Sequence, residues 1–289
     1  MKHAYLIIAH NEFEVLRKLI GALDDSRNDI FVHFDLKLKE CPSLEARNAG
    51  LFILENRVDV RWGDISVVEA EYALFKEAFQ RGKKYAYYHL LSGVDLPLKS
   101  QGEIHDFFAK HAGKEFIGFS QYDYTEEVDR KVRRIHLFPR NFRFTDSFID
   151  TAKKLIRALF LRIQFLLRIK INKNTRFKKG TQWISVTDSF VMYMLAEKRE
   201  VLNTYRDTFC SDEIFVQTLC WNSIFRDRIY CLDDEAKGCM RKIGWKDGRI
   251  YDWEDGDYDE LMQSGMLFAR KFNGKNMQLV DKVLKNLKK

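Results

Sequence analysis

The sequence predicts an α/β fold in which a mostly parallel central sheet is flanked by helices. Three observations predict it. Apolar residues 4–9 are followed by 12–23, where Phe13, Leu16, Leu19, Ile20 and Leu23 recur at helical spacing, and then by apolar residues 30–34. That βαβ order makes two strands parallel through a right-handed crossover. The alternation of strand and helix periods then continues along the chain, and no Pro/Gly/Ser-rich linker or internal repeat breaks it. With only three prolines, the 289 residues read as one continuous domain.

Taken in order, the next elements are a strand at 58–62, a helix at 66–80, a strand at 85–91, a helix at 101–110 and a strand at 115–119. The second half carries a helix at 151–171, a strand at 182–186, a helix from Asp188, a helix at 212–222, a strand at 228–232 and a terminal helix at 277–287. The segment 151–171 is both apolar and basic. Arg157, Arg162 and Arg168 interrupt it, and each would cost about 2.5–3.5 kcal/mol at the centre of a bilayer, which argues against a membrane span. Two readings stay open for it: a half-buried core helix, or a surface helix that docks on an anionic bilayer and gives the 151–179 region a peripheral membrane contact.

The composition, 46% apolar and 31% charged, is that of a globular protein. Five scattered cysteines without C-x-x-C spacing suggest neither a disulfide framework nor a thiolate zinc site. The opening apolar run is too short for a signal h-region, so a cytoplasmic location is expected, with the inner membrane face as the place of any peripheral contact. The net charge of +7 favours anionic partners, and the basic runs at 130–134, 153–170 and 173–179 lack any nucleic-acid motif, so no nucleic acid is expected. No G-x-G-x-x-G follows the first strand and no G-x-x-x-x-G-K-[ST] occurs, which sets aside classical dinucleotide and P-loop sites.

Ligands of open α/β sheets bind at the carboxyl ends of strands, which directs attention to His10-Asn11-Glu12 and His33-Phe34-Asp35. Both histidines read as hydrogen-bonding pocket residues, since no third ligand at metal spacing accompanies them. Ser211 is a plausible N-cap that puts Asp212 and Glu213 in a first turn, where a carboxylate can be a catalytic base or a helix stabiliser. Arg249 and Lys271 are cations able to neutralise a diphosphate, or to sit solvated. The acidic stretch 252–260 lacks the spacing of a calcium loop and reads as an exposed turn.

Several segments, in order over nearly the whole chain, resemble glycosyltransferase family 14, the core 2 and I-branching N-acetylglucosaminyltransferases and peptide O-xylosyltransferases, in a bacterial form. They are Ala9-His10-Asn11-Glu12, 31–35 with Lys37, Val60-Arg61-Trp62-Gly63, 88–100 with Ser92-Gly93-Val94-Asp95-Leu96-Pro97, Gly180-Thr181-Gln182-Trp183, Ser211-Asp212-Glu213, 249–253 and 267–272. The resemblance implies a GT-A type fold, with a nucleotide-sugar half at 1–120 and an acceptor and catalytic half at 121–289. It implies a UDP-sugar donor, a glycan or lipid-linked oligosaccharide acceptor, and inversion at the anomeric carbon. Glu213 falls on the family's catalytic glutamate, and Arg249 and Lys271 fall on its diphosphate-binding cations, which replace a divalent metal; no cofactor is expected. His10, Val32, His33, Asp35, Trp62 and Gly63 fall on the nucleotide side, with Asp95, Gln182 and Trp183 on the sugar side.

Trp183 can be the floor of a sugar site or a core residue. In the xylosyltransferase branch an acid stands where this chain has Gln182. That departure disfavours xylosyl transfer and moves the base role to Glu213. A xylosyltransferase-like enzyme and a non-catalytic nucleotide- or glycan-binding protein remain the alternatives.

Overall fold

The computed structural model describes residues 1–143 and 147–287. The predicted α/β class is what the chain adopts. Strand β1 (Lys2–Ala9) leads through α1 (Phe13–Ala22) to β2 (Asn28–Phe34), and the two strands pair in parallel from His3 opposite Asn28 to Ala9 opposite Phe34. β3 (Gly50–Ile53), α2 (Ser66–Gln80), β4 (Tyr85–Ser92), β5 (Leu96–Pro97) and α3 (Gln101–Lys110) follow. Next come α4 (Thr125–Val132), α5 (Phe148–Leu166), β6 (Ser185–Thr187), α6 (Asp188–Ala196), α7 (Lys198–Tyr205) and α8 (Phe215–Trp221). The chain ends with α9 (Glu235–Cys239), β7 (Arg241–Ile243), β8 (Trp245–Lys246), β9 (Arg249–Ile250), α10 (Tyr258–Gln263), β10 (Phe268–Arg270) and α11 (Met277–Asn286).

The main sheet runs β3-β2-β1-β4-β6, parallel except for the β4–β6 pair. From β1 the chain winds outward to β2 and β3, then returns to place β4 on the other side of β1. The strand order therefore reverses between β1 and β4, and the crevice outside the carboxyl ends there is where such sheets bind ligands. Side chains alternate across β1: Ala4 and Leu6 enter one core with α2 and α6, while Tyr5, Ile7 and Ala9 enter the other with α1, α3 and α11. Each fully buried large apolar side chain contributes roughly 1.5–3 kcal/mol, which explains why these two layers dominate the fold. A smaller sheet, β5-β10-β7, crosses the chain's halves by pairing Leu96 with Ala269.

Several predicted elements differ. The stretch 58–62 is not a strand. The backbone N–H of Val58 donates to His33 Nε2 (2.8 Å) and its carbonyl accepts from Leu36 N, so this segment is tied to the end of β2 by a side chain and not by a ladder. β3 takes the edge position instead, after a turn in which Asp24 accepts the backbone N–H groups of Arg47, Asn48 and Ala49. Residues 115–119 and 228–232 make only single bridges, because the buried Glu115 carboxylate takes the Thr187 N–H (2.9 Å) and hydroxyl in place of regular pairing. Burial pushes the Glu115 pKa up to about 7, against the pull of those hydrogen bonds.

The predicted helix at 212–222 splits into a 3-10 turn, Ser211–Glu213, and α8. Cys210, in the left-handed region, precedes the turn, and Ser211 does not cap it: the Ser211 hydroxyl is buried without a hydrogen-bond partner among the described residues. The helix predicted at 151–171 is α5, and it lies on the surface with its polar side inward.

Candidate active site

His10 follows β1 directly and is exposed at the crevice rim. Partial desolvation, reinforced by Lys37, Lys271 and Arg143 and opposed by Asp35, lowers its pKa, so charged groups from three distant segments lie near it. Asp35, at the end of β2, accepts the Lys37 N–H (2.9 Å) and pairs with its ammonium (2.6 Å). That ammonium also meets Asp59 (3.2 Å) and the Val60 carbonyl, and Asp59 pairs with Arg61 and Arg140. Lys271 reaches this rim from beyond β10, half-exposed and 3.4 Å from Asp252. Its position depends on Trp253, which is buried, donates from Nε1 to Arg270 O (2.7 Å) and from its backbone to Lys271 O (2.9 Å).

Trp62, half-exposed, ends the 58–62 segment. Its indole stands edge-on to Phe209 (5.4 Å), and Arg143 lies over it (5.2 Å). Gly63 makes that approach possible: its φ is +78°, and a Cβ there would meet Phe209 at 2.4 Å. The Gly63 carbonyl accepts from Cys210 N (2.9 Å), which draws the 3-10 turn carrying Glu213 toward the crevice.

Glu213 is 38% exposed in its side chain. One carboxylate oxygen, Oε2, meets the ammonium of Lys131 at 3.2 Å and that of Lys179 at 3.5 Å. Oε1 has no partner among the described residues. Glu127 binds the same two cations, at 2.6 and 3.7 Å, and Lys179 donates to the Tyr122 hydroxyl (2.8 Å). Burial opposes the charge on Lys131, yet Glu213 and Glu127 together raise its pKa. Gly180 brings Lys179 here, because its N–H donates to Glu213 O (2.9 Å) and a Cβ would lie 1.9 Å from Gly118 O.

Behind Glu213 stands a second acidic layer. Burial first and then Glu213 raise the pKa of Asp212; burial and Asp212 raise that of Glu71 well above the usual carboxylate range. Gln182 donates to Glu71 Oε1 (2.8 Å), so the residue expected on the sugar side braces this layer.

His10, Asp35 and Lys271 thus lie near one another, and Trp62 and Gly63 lead through Phe209 and Cys210 to the turn that carries Glu213. Other expected residues withdraw from the crevice. Val32 has its side chain fully buried in a core cluster, where it forms no accessible wall. His33 is equally buried, its Nε2 occupied by Val58 N–H. Asp95 is sealed inside, held by Ser92 and by Arg270 (3.2 Å). Trp183 takes the core position, 5% exposed, with the Arg270 guanidinium 4.2 Å over its ring. Arg249 is exposed on the β8–β9 hairpin without an ion pair among the described residues. The open recess beside it is lined by Lys246, Asp247, Arg249, Tyr251, Asp252 and Glu254, a mixed-charge surface that does not include Glu213.

Lys131, Lys179, Glu127 and Tyr122 were not expected at the site. The Glu127–Lys131 spacing of four on one helix face was the available signal; the partnership of either with Glu213 was not. Among the described residues, no group of three or more His, Cys, Asp or Glu side chains is arranged to hold a metal ion.

The family profile described as Core-2/I-Branching enzyme matches residues 3–277. The chain belongs to that family. It is a glycosyltransferase of the Core-2/I-Branching class. Among this family member's relatives, the mouse N-acetyllactosaminide beta-1,6-N-acetylglucosaminyl-transferase is 24% identical over 93% of this chain and 68% of its own length. The human enzyme of the same name is 23% identical over 93% of this chain and 67% of its own. Among solved structures, mouse xyloside xylosyltransferase 1 in its apo form aligns with 94% of this chain and 99% of its own, at 10% identity and a TM-score of 0.34, a likeness that assigns no residue a role.

Proposed function

We propose that this glycosyltransferase moves N-acetylglucosamine from a UDP donor to a glycan hydroxyl with inversion, and that Glu213 is the general base. The acceptor hydroxyl gives its proton to Glu213 as its oxygen forms a bond to the anomeric carbon. The bond from that carbon to the donor phosphate breaks on the opposite side, and UDP leaves with the electron pair. A single displacement of this kind needs one base and no covalent intermediate.

One observation carries the reading: Glu213 is half-exposed, with Oε2 held by two ammoniums and Oε1 unoccupied. Holding one oxygen aims the other, which is the preorganisation a base requires. Lys271 would neutralise the departing diphosphate, and Arg249 would join it by movement of the β8–β9 hairpin, a role that needs no divalent metal. The names of the mouse and human relatives support N-acetylglucosamine as the sugar. Gln182, engaged with Glu71, supports this over a xylosyl reading that needs an acid there.

The test is Glu213→Gln. Turnover is expected to fall by roughly 10²–10⁴-fold while UDP affinity, measured by calorimetry, stays within a small factor of the parent. A fully active variant would remove Glu213 from the mechanism, and a parent that binds UDP without ever releasing sugar would mark a binding protein instead.

A further inference from the structure

Helix α5 is built inside out. The large apolar residues Phe148, Leu155, Leu159, Ile163 and Leu166, at helical spacings of seven, four, four and three, form one continuous stripe that faces solvent. Phe148 is 88% exposed, Leu155 66%, Leu159 60% and Leu166 81%. The residues this helix buries are polar: Arg157 and Gln164. Arg157 donates to the carbonyls of Leu137, Phe138 and Asn141, and lies over the Phe142 ring at 4.4 Å. Gln164 exchanges two hydrogen bonds with the backbone of Ile135, donating to its carbonyl (2.9 Å) and accepting from its N–H (3.0 Å). These bonds fix the helix's rotation, so the apolar stripe cannot turn inward without stranding them.

Cations flank the stripe. Lys154, Arg162, Arg168 and Lys173 are exposed and pair with no carboxylate among the described residues, and Asp150 is the one acidic residue in 147–174. No described helix is long and apolar enough to cross a membrane. We propose that α5 lies flat on an anionic lipid surface, with its apolar stripe sunk into the headgroup boundary and these cations on the phosphates. An apolar face with a basic border is what an interfacial helix needs. A second copy of the chain fits worse, because apposing two such faces would bring their basic borders together with no acidic partners. The helix is anchored to 135–142, which follows α4 with its Lys131 and Glu127, so docking would hold the crevice next to the lipid.

The experiment is vesicle flotation of the whole protein with phosphatidylcholine vesicles and with phosphatidylcholine/phosphatidylglycerol vesicles, at low and high salt. The parent is expected to float with the anionic vesicles and to detach as salt rises. Leu155→Gln/Leu159→Gln/Ile163→Gln should weaken partitioning at least about tenfold, and Lys154→Glu/Arg162→Glu by roughly fivefold or more per cation. Both variants change exposed side chains, so circular dichroism and melting should match the parent. A parent that stays unbound, that floats equally with neutral vesicles, or whose triple variant floats undiminished overturns the proposal. Self-association in sedimentation that the triple variant abolishes, without flotation, would assign the face to a second copy and overturn it equally.

Discussion

At Gly63 a single missing Cβ decides whether the 58–62 segment and the Glu213 turn can touch. Gly63→Ala forces a side chain into a left-handed conformation, costing about 1–2 kcal/mol before the clash with Phe209 is counted. Thermal denaturation should register a loss of at least that size, with reduced turnover in whatever remains folded. Glu71 is the second residue whose surroundings make a testable statement. It is fully buried, one carboxyl oxygen lacks a partner, and burial together with Asp212 raises its pKa well above the usual carboxylate range. The unfolded chain ionises this group above about pH 4.3, so above that value the unfolded state binds fewer protons and stability declines as pH rises toward the folded-state pKa. Glu71→Gln removes the liability, and its melting temperature relative to the parent should climb as pH rises above about 4.3, the ordinary value for the unfolded glutamate. A difference that stays constant above that value would mean that the Glu71 pKa is not raised.

Among the elements, the β8–β9 hairpin and the end of β10 show how cations are carried to a site. Neither Arg249 nor Lys271 is held by its own contacts with the core; Trp253 is the anchor, through its burial and its bond to Arg270 O. Trp253→Ala should therefore cost about 3–5 kcal/mol in stability and also weaken UDP binding. Lys271→Ala, at a half-exposed side chain, should weaken UDP binding with little change in melting. If both variants melt like the parent, the anchor has been misassigned. Element types were legible wherever burial was regular: β1, α1 and β2 follow from periods of two and 3.6, and the helix read at 101–110 is α3, which the structure closes at its start with a Ser100–Glu103 capping box. The errors fell where side chains take over backbone pairing, as His33 does at Val58 and Glu115 does at Thr187. Of the two readings left open for α5, the half-buried core helix does not hold, for a related reason. Periodicity detects a stripe, and only packing tells which way the stripe faces.

On the scale of the whole molecule, the crevice is a meeting of segments far apart in the chain: His10 and Asp35 from the first βαβ unit, Trp62 after it, Lys131 and Lys179 from the middle, Glu213 beyond them and Lys271 near the end. A ligand bridging them should stabilise the entire fold. UDP at 100 times its dissociation constant should add about 2.7 kcal/mol to unfolding stability, and should do so equally with EDTA present. Protection that requires Mn²⁺ would show that the lysine and arginine side chains do not suffice for the diphosphate.

By itself the sequence determined the α/β class, the family, and the identity of Glu213 and Lys271 as residues of interest, because periodicity and ordered motifs are local properties that survive in one dimension. Only the tertiary structure decided that Val32 and Trp183 belong to the core, that Lys131 and Lys179 grip Glu213, and that α5 turns its apolar side outward. Each of these depends on which distant surface a residue meets, and burial and pairing energies are set by that neighbour and not by the residue's own place in the chain.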